Sequence, residues 1–209
     1  VVASGLRQVE GDLDAALALL DEADRLYQGD YSPNVRPVPA MRARLRLRRG
    51  ELELAEAWVR ERDLGFDDEQ SYLREYEHVT LARVLLAQSA ATRDAAALSH
   101  AVDLLGRLEG AATAGGRTET AIEVLVLLAL AHQSEGNQQA ALDALRGAVE
   151  LGHAEGYVRV FADEGEPMAA LLKTVVQQDA ASSTTSYVRR LLAASTGSSQ
   201  PFPVAQSGL

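Results

Sequence analysis

Residues 136–150 read Gly-Asn-Gln-Gln-Ala-Ala-Leu-Asp-Ala-Leu-Arg-Gly-Ala-Val-Glu. Gly136 ends a helix well, because a residue without a Cβ adopts the left-handed conformation at no steric cost. Five positions later Ala141 opens a second helical stretch, in which Ala141, Leu142, Leu145, Ala148 and Val149 form one apolar stripe. A small side chain at Ala141 lets two helices approach closely. The unit is therefore a helix, a tight turn and a second helix.

The same spacing recurs toward the N-terminus. Gly11 precedes Ala16, Gly50 precedes Ala55, and Thr92 with Ala97 fills the remaining place, so the turns fall 39, 42 and 44 residues apart. The stretches before the turns also agree. Ala43-Arg44-Leu45-Arg46-Leu47 aligns with Ala82-Arg83-Val84-Leu85-Leu86, and Ala129 stands seven residues before Gly136 as Ala43 does before Gly50. Ser4 holds that position before Gly11. Four such units in register predict an all-α, TPR-like antiparallel helix-hairpin solenoid with a right-handed superhelix. The helices are expected near 1–10, 12–27, 38–49, 51–63, 70–89, 94–112, 117–134 and 138–152, with two less regular ones near 167–178 and 184–195. Asp30–Pro39, with three prolines, reads as an extended connector. The repeat domain is expected over 1–194. The Ser-, Gly-, Gln- and Pro-rich stretch 195–209 reads as a flexible linker.

Composition supports this reading and narrows the function. Alanine and leucine dominate and aromatics make up 5%, a helix-forming rather than a strand-forming mixture. No cysteine is present, which excludes disulfides, thiolate metal sites and cysteine nucleophiles and fits a cytoplasmic setting. A net charge of −10 opposes direct contact with a phosphate backbone. The most apolar run, Ala121–Ala131, is interrupted only by Glu123 and is too short to span a bilayer. It reads as a buried helix.

Toward the C-terminal end the run Gly156-Tyr157-Val158-Arg159-Val160-Phe161-Ala162-Asp163-Glu164-Gly165-Glu166-Pro167-Met168, followed by Leu171-Leu172, is more specific. It resembles the segment that closes the helical-repeat domain of MalT-like regulators, the large ATP-binding members of the LuxR family. Ala141–Leu145, Ala148 and Glu150 fit the same pattern. The resemblance covers nearly the whole chain and is strongest from about Glu135 onward. It implies a sensor segment lying between a nucleotide-hydrolysing switch and a C-terminal helix-turn-helix. The chain departs from the complete pattern in two ways. Its only lysine, Lys173, follows Leu172, so no phosphate-binding loop exists. Nothing after Ser195 forms a DNA-reading helix pair, so nucleic acid is expected to be met only through an absent C-terminal domain.

No active site is legible. His78, His100, His132 and His153 are far apart in sequence and form no metal-binding pair, so they are expected to be surface or partly buried residues, with no metal and no cofactor. No nucleophile elbow occurs. The chain is expected to bind rather than catalyse. Tyr72 and Tyr76, four apart on one predicted helix, are the candidate ligand contacts, with Glu69 and Arg83 beside them. Aromatic faces flanked by charges suit a small polar effector such as a sugar. Arg42, Arg46 and Arg49 belong to the densest basic stretch and are candidates for an anion or partner-domain surface, although charge pairing with Glu51, Glu53 and Glu56 accounts for the same residues. Trp58 is expected in the core. Tyr157, Arg159 and Phe161 are read as structural closure on one side of an extended segment. The expected partners are a small-molecule effector, a partner protein domain or a second copy of the chain. The leading reading is an effector-sensing segment of a bacterial LuxR-type transcriptional regulator; the alternative is a TPR-type scaffold for a peptide or partner domain.

Overall fold

The computed structural model describes residues 1–26, 34–179 and 184–196. Within them the chain forms helices α1 (Val2–Val9), α2 (Leu13–Leu26), α3 (Val38–Arg48), α4 (Leu52–Glu61), α5 (Glu75–Thr92), α6 (Ala95–Ala114), α7 (Thr118–Ser134), α8 (Gln138–Glu155), α9 (Arg159–Ala162), α10 (Gly165–Gln178) and α11 (Thr185–Thr196), and no strand. This is the expected all-α, TPR-like fold, with α1/α2, α3/α4, α5/α6 and α7/α8 as the four hairpins. No helix of the described residues is long and apolar enough to cross a membrane.

The corners follow the repeat. Gly50 has φ +77° and Gly136 has φ +78°, the left-handed region in which a Cβ is penalised. At each corner the next amide reaches back across the turn, from Glu51 N–H to the Arg46 carbonyl at 2.9 Å and from Asn137 N–H to the His132 carbonyl at 2.9 Å. These bonds satisfy carbonyls that the helix end would leave orphaned. Asn137 then caps α8 by accepting from the Ala140 amide. At the third hairpin Arg93, φ +57°, takes the corner that glycine holds elsewhere, and Asp94 caps α6. Ala16, Ala55, Ala97 and Ala141 are all buried. The glycine-plus-five spacing also joins α6 to α7, through Gly116 (φ +64°) and buried Ala121, a corner that the sequence reading passes over.

Consecutive hairpins stack through apolar seams. Leu45 of α3 packs on Leu13, Ala16 and Leu20 of α2. α5, α6 and α7 share a core that includes Val79, Leu104, Leu108 and Val124, with Trp58 buried against it as expected. A second core joins α7 and α8 to Phe161, Met168, Leu172 and, from α11, Tyr187 and Leu191. Each buried Leu, Val, Phe or Met among them contributes roughly 1.5–3 kcal/mol of burial. Ala121–Ala131 lies within α7 and is buried along most of its length.

The structure corrects the reading at several points. The helix expected to begin near residue 70 begins at Glu75; Tyr72–Arg74 is a single 3₁₀ turn, and Glu69 lies in the preceding loop. Residues 159–162 form helix α9 rather than an extended segment. Phe161 therefore points into the core while Arg159, half exposed, pairs with Asp163 one turn on. His78 is fully buried, with Nε2 3.2 Å from Asp68 Oδ2, so it is neither a surface nor a partly buried residue. Helix α11 carries the fold through Ser195, so position 195 belongs to the helical body. Residues 30–33 of the expected connector and 197–209 of the expected linker lie outside the described residues.

Candidate functional site

The first helices α3, α5 and α7 converge on a cleft of about 430 Å³. Connector residues 35 and 36 and Tyr157, just after α8, complete its wall. Tyr72 and Tyr76 both line it, Tyr72 from the 3₁₀ turn and Tyr76 from the first turn of α5. The cleft thus brings together the two aromatic residues singled out by sequence. It does not bring Glu69, which is exposed in its loop away from the cleft. Arg83 does not line the cleft either: it is buried behind it, at 7% exposure.

Ion pairs organise the lining. Arg44 donates to Glu123 at 2.7 Å, to the Thr80 hydroxyl at 2.7 Å and to the Tyr76 carbonyl at 3.4 Å. Its guanidinium also sits 3.8 Å from the centre of the Tyr76 ring, a cation–π contact. Arg117 pairs with Glu75 at 2.6 Å, and Glu75 also accepts from the Thr120 hydroxyl at 2.9 Å. Arg36, from the connector, pairs with Glu119 at 2.8 Å.

Behind the lining, Glu123 Oε1 also accepts from Arg83 Nε at 3.0 Å and Nη2 at 2.9 Å, and the same Arg83 Nη2 reaches Glu164 Oε1 at 2.8 Å. Burial alone would raise the Glu123 carboxyl, but the adjacent Arg44 and Arg83 outweigh it and hold the group below its ordinary value. Burial likewise opposes the Arg83 charge, and Glu164 and Glu123 more than restore it. Buried charges persist only when paired in this way.

Glu164 belongs to the C-terminal run quoted above, which gives that run a physical role. Glu164 ties the start of α10 to α5, Phe161 fills the core, and Tyr187 of α11 donates its hydroxyl to the Tyr157 carbonyl. Burial pushes the Tyr187 phenol up to about 12.

The basic stretch of α3 does not form one surface. Arg42 pairs with Asp21 and Asp24 of α2, Arg46 reaches the Leu54 carbonyl, and Arg49 pairs with Asp14 and Glu51. Of the three glutamates expected as partners only Glu51 is used, because α2 brings its aspartates closer. Sequence reading missed Arg36, Glu75, Arg117 and Glu123 as cleft residues. One signal was present: Glu123 is the single charge inside the apolar run of α7, and such a charge needs a partner. Among the described residues no group of three or more His, Asp or Glu side chains is placed to hold a metal ion.

The comparisons with known proteins agree with the repeat. No curated protein matches the chain. A family model described as the MalT-like TPR region matches residues 1–178, from α1 to the end of α10. The chain belongs to the MalT-like TPR-region family.

Proposed function

We propose that this chain is the effector-sensing segment of a bacterial LuxR-type transcriptional regulator, working in the cytoplasm by binding and not by catalysis. The observation that carries this reading is the cleft itself. A family of helical sensing or interaction segments here encloses about 430 Å³ whose described lining includes Tyr72, Tyr76 and Tyr157 and mostly paired charges. That volume suits a small polar ligand oriented by a few fixed groups.

The wiring supports a switch. A ligand that touches Arg44 or Glu123 competes with the Arg44–Glu123 bond and so shifts the balance at Glu123 Oε1, which Arg83 shares; Arg83 is in turn bonded to Glu164 at the entry to α10. A difference in affinity between two arrangements of this network biases whatever is attached beyond it. The DNA-reading and nucleotide-hydrolysing parts belong, in this proposal, to other segments of the parent protein.

A thermal-shift screen of small polar metabolites, sugars included, tests it, since a ligand of the folded state raises the melting temperature with occupancy. Tyr72→Ala and Tyr76→Ala are expected to weaken the best hit. Unchanged affinity in both folded variants would remove the cleft as the effector site. Tyr72, 56% exposed at the rim, favours as a second reading a scaffold that docks a peptide there. A bound segment that buries Tyr72 in the absence of any metabolite would favour it.

A further inference from the structure

The three guanidiniums of the cleft are not equivalent. Arg44 and Arg117 are held in pairs whose partners are 17% and 9% exposed, and each makes further hydrogen bonds to the protein. Arg36 differs. It precedes Pro37 outside any helix, and both it and Glu119 are more than half exposed, at 54% and 58%. Its guanidinium also lies 5.8 Å from the centre of the Tyr76 ring, within the range of a cation–π contact. An exposed ion pair of this kind is worth about 0–1 kcal/mol, so a competing cation can replace it.

The lining is unfavourable to anions. Every guanidinium that reaches the cleft is already engaged by a carboxylate there, whereas Glu155, also in the wall, makes no ion pair among the described residues. The N-terminus of α7 opens on the same space, but Glu75 and Glu119 stand beside its positive end. A carboxylate, an aromatic face and a weakly held internal cation are the parts of a cation-recognition site.

We propose that the cleft takes a ligand carrying a guanidinium or ammonium group, and that Arg36 is an internal stand-in which this group displaces from Glu119 and from the Tyr76 ring. The inference rests on the cleft being the effector site and names the ligand's chemistry. Arg36 lies two residues before α3, the helix carrying Arg44, which links the displaced side chain to the Arg44–Glu123–Arg83 bonds.

The test is calorimetric titration of the 209-residue chain with N-acetyl-L-arginine amide and with its uncharged citrulline counterpart. The arginine compound is expected to bind and the citrulline compound to bind at least about tenfold more weakly. Arg36→Ala removes the competitor and is expected to tighten the arginine compound by about two- to fivefold, whereas Glu119→Gln in that background reverses the gain. Circular dichroism checks that the folds are retained. Equal binding of the two compounds, or no change on Arg36→Ala, overturns the proposal. So does binding that survives Tyr76→Ala combined with Glu119→Gln, since the compound then sits elsewhere. A neutral disaccharide that binds, and is lost in Tyr72→Ala, while the arginine compound does not bind would overturn the cationic class and leave the cleft as the effector site. Agmatine and a blocked Gly-Arg-Gly tripeptide separate the two sources of such a group; tighter binding by either upholds the proposal and shows whether a small amine or a peptide supplies it.

Discussion

Arg42 and Arg44 stand two residues apart on α3 and lead different lives. Arg42 faces α2, where it meets Asp21 and Asp24 at 2.8 and 2.7 Å, with those partners 52% and 39% exposed. Arg44 faces the cleft, where its partner Glu123 is 17% exposed and is shared with buried Arg83. The bond lengths are the same; the surroundings are not. Water screens the first set and is largely excluded from the second, so similar geometry carries very different free energy. A dense run of arginines in sequence therefore says little until each is assigned to a face.

The sharpest way to break this comparison is to remove the buried member. Arg83→Ala leaves Glu123 short of a partner and Glu164 without one, and is expected to cost about 3–5 kcal/mol in urea unfolding. A loss near that of a surface residue would show that water enters the network and that the two faces of α3 are alike. An apolar change calibrates the scale. Ala141→Leu, at a fully buried corner, overpacks the hairpin and is expected to cost about 1–3 kcal/mol by the same measurement. No loss there would mean that the corner alanine does not set the helix spacing.

The next effect is read by pH. Glu123 is held below its ordinary 4.5 in the folded chain, so its contribution is complete above that value and disappears as pH falls through the lower folded value. Unfolding followed between neutral pH and about pH 3 is expected to show falling stability below 4.5, with a shallower fall in Glu123→Gln. An unchanged slope would detach the acid response from this residue. The smallest effect belongs to Arg42→Ala, expected to cost about 1 kcal/mol or less and to shrink further in high salt.

These contrasts explain what could be read in advance. Gly50, Gly136 and their alanines announce the corners because the left-handed turn and the close approach act within a few residues. Helix limits followed to within a few positions wherever a turn residue marked them. The start of α5 escaped because no glycine or proline interrupts Gln70–Arg74, and because α5 is buried on nearly all sides, so it shows no apolar stripe to phase it. Tyr72 and Tyr76 were legible as a pair and do share the cleft, but on two elements instead of one helix face. Arg83 was noticed for the wrong reason. Its partners lie 40 and 81 residues away, and pairs that distant leave no spacing in the sequence to detect.

The reach of α11 bears on how the molecule can be handled. The family match ends at residue 178, yet Tyr187, Val188 and Leu191 complete the core that holds Phe161 and Met168. A chain cut at the family limit would lose one wall of that core and leave the Tyr157 carbonyl without its hydroxyl donor. Recognition of a repeat and the extent of its cooperative unit are thus set by different residues. A fragment meant to keep that core therefore has to run through α11, which ends at Thr196.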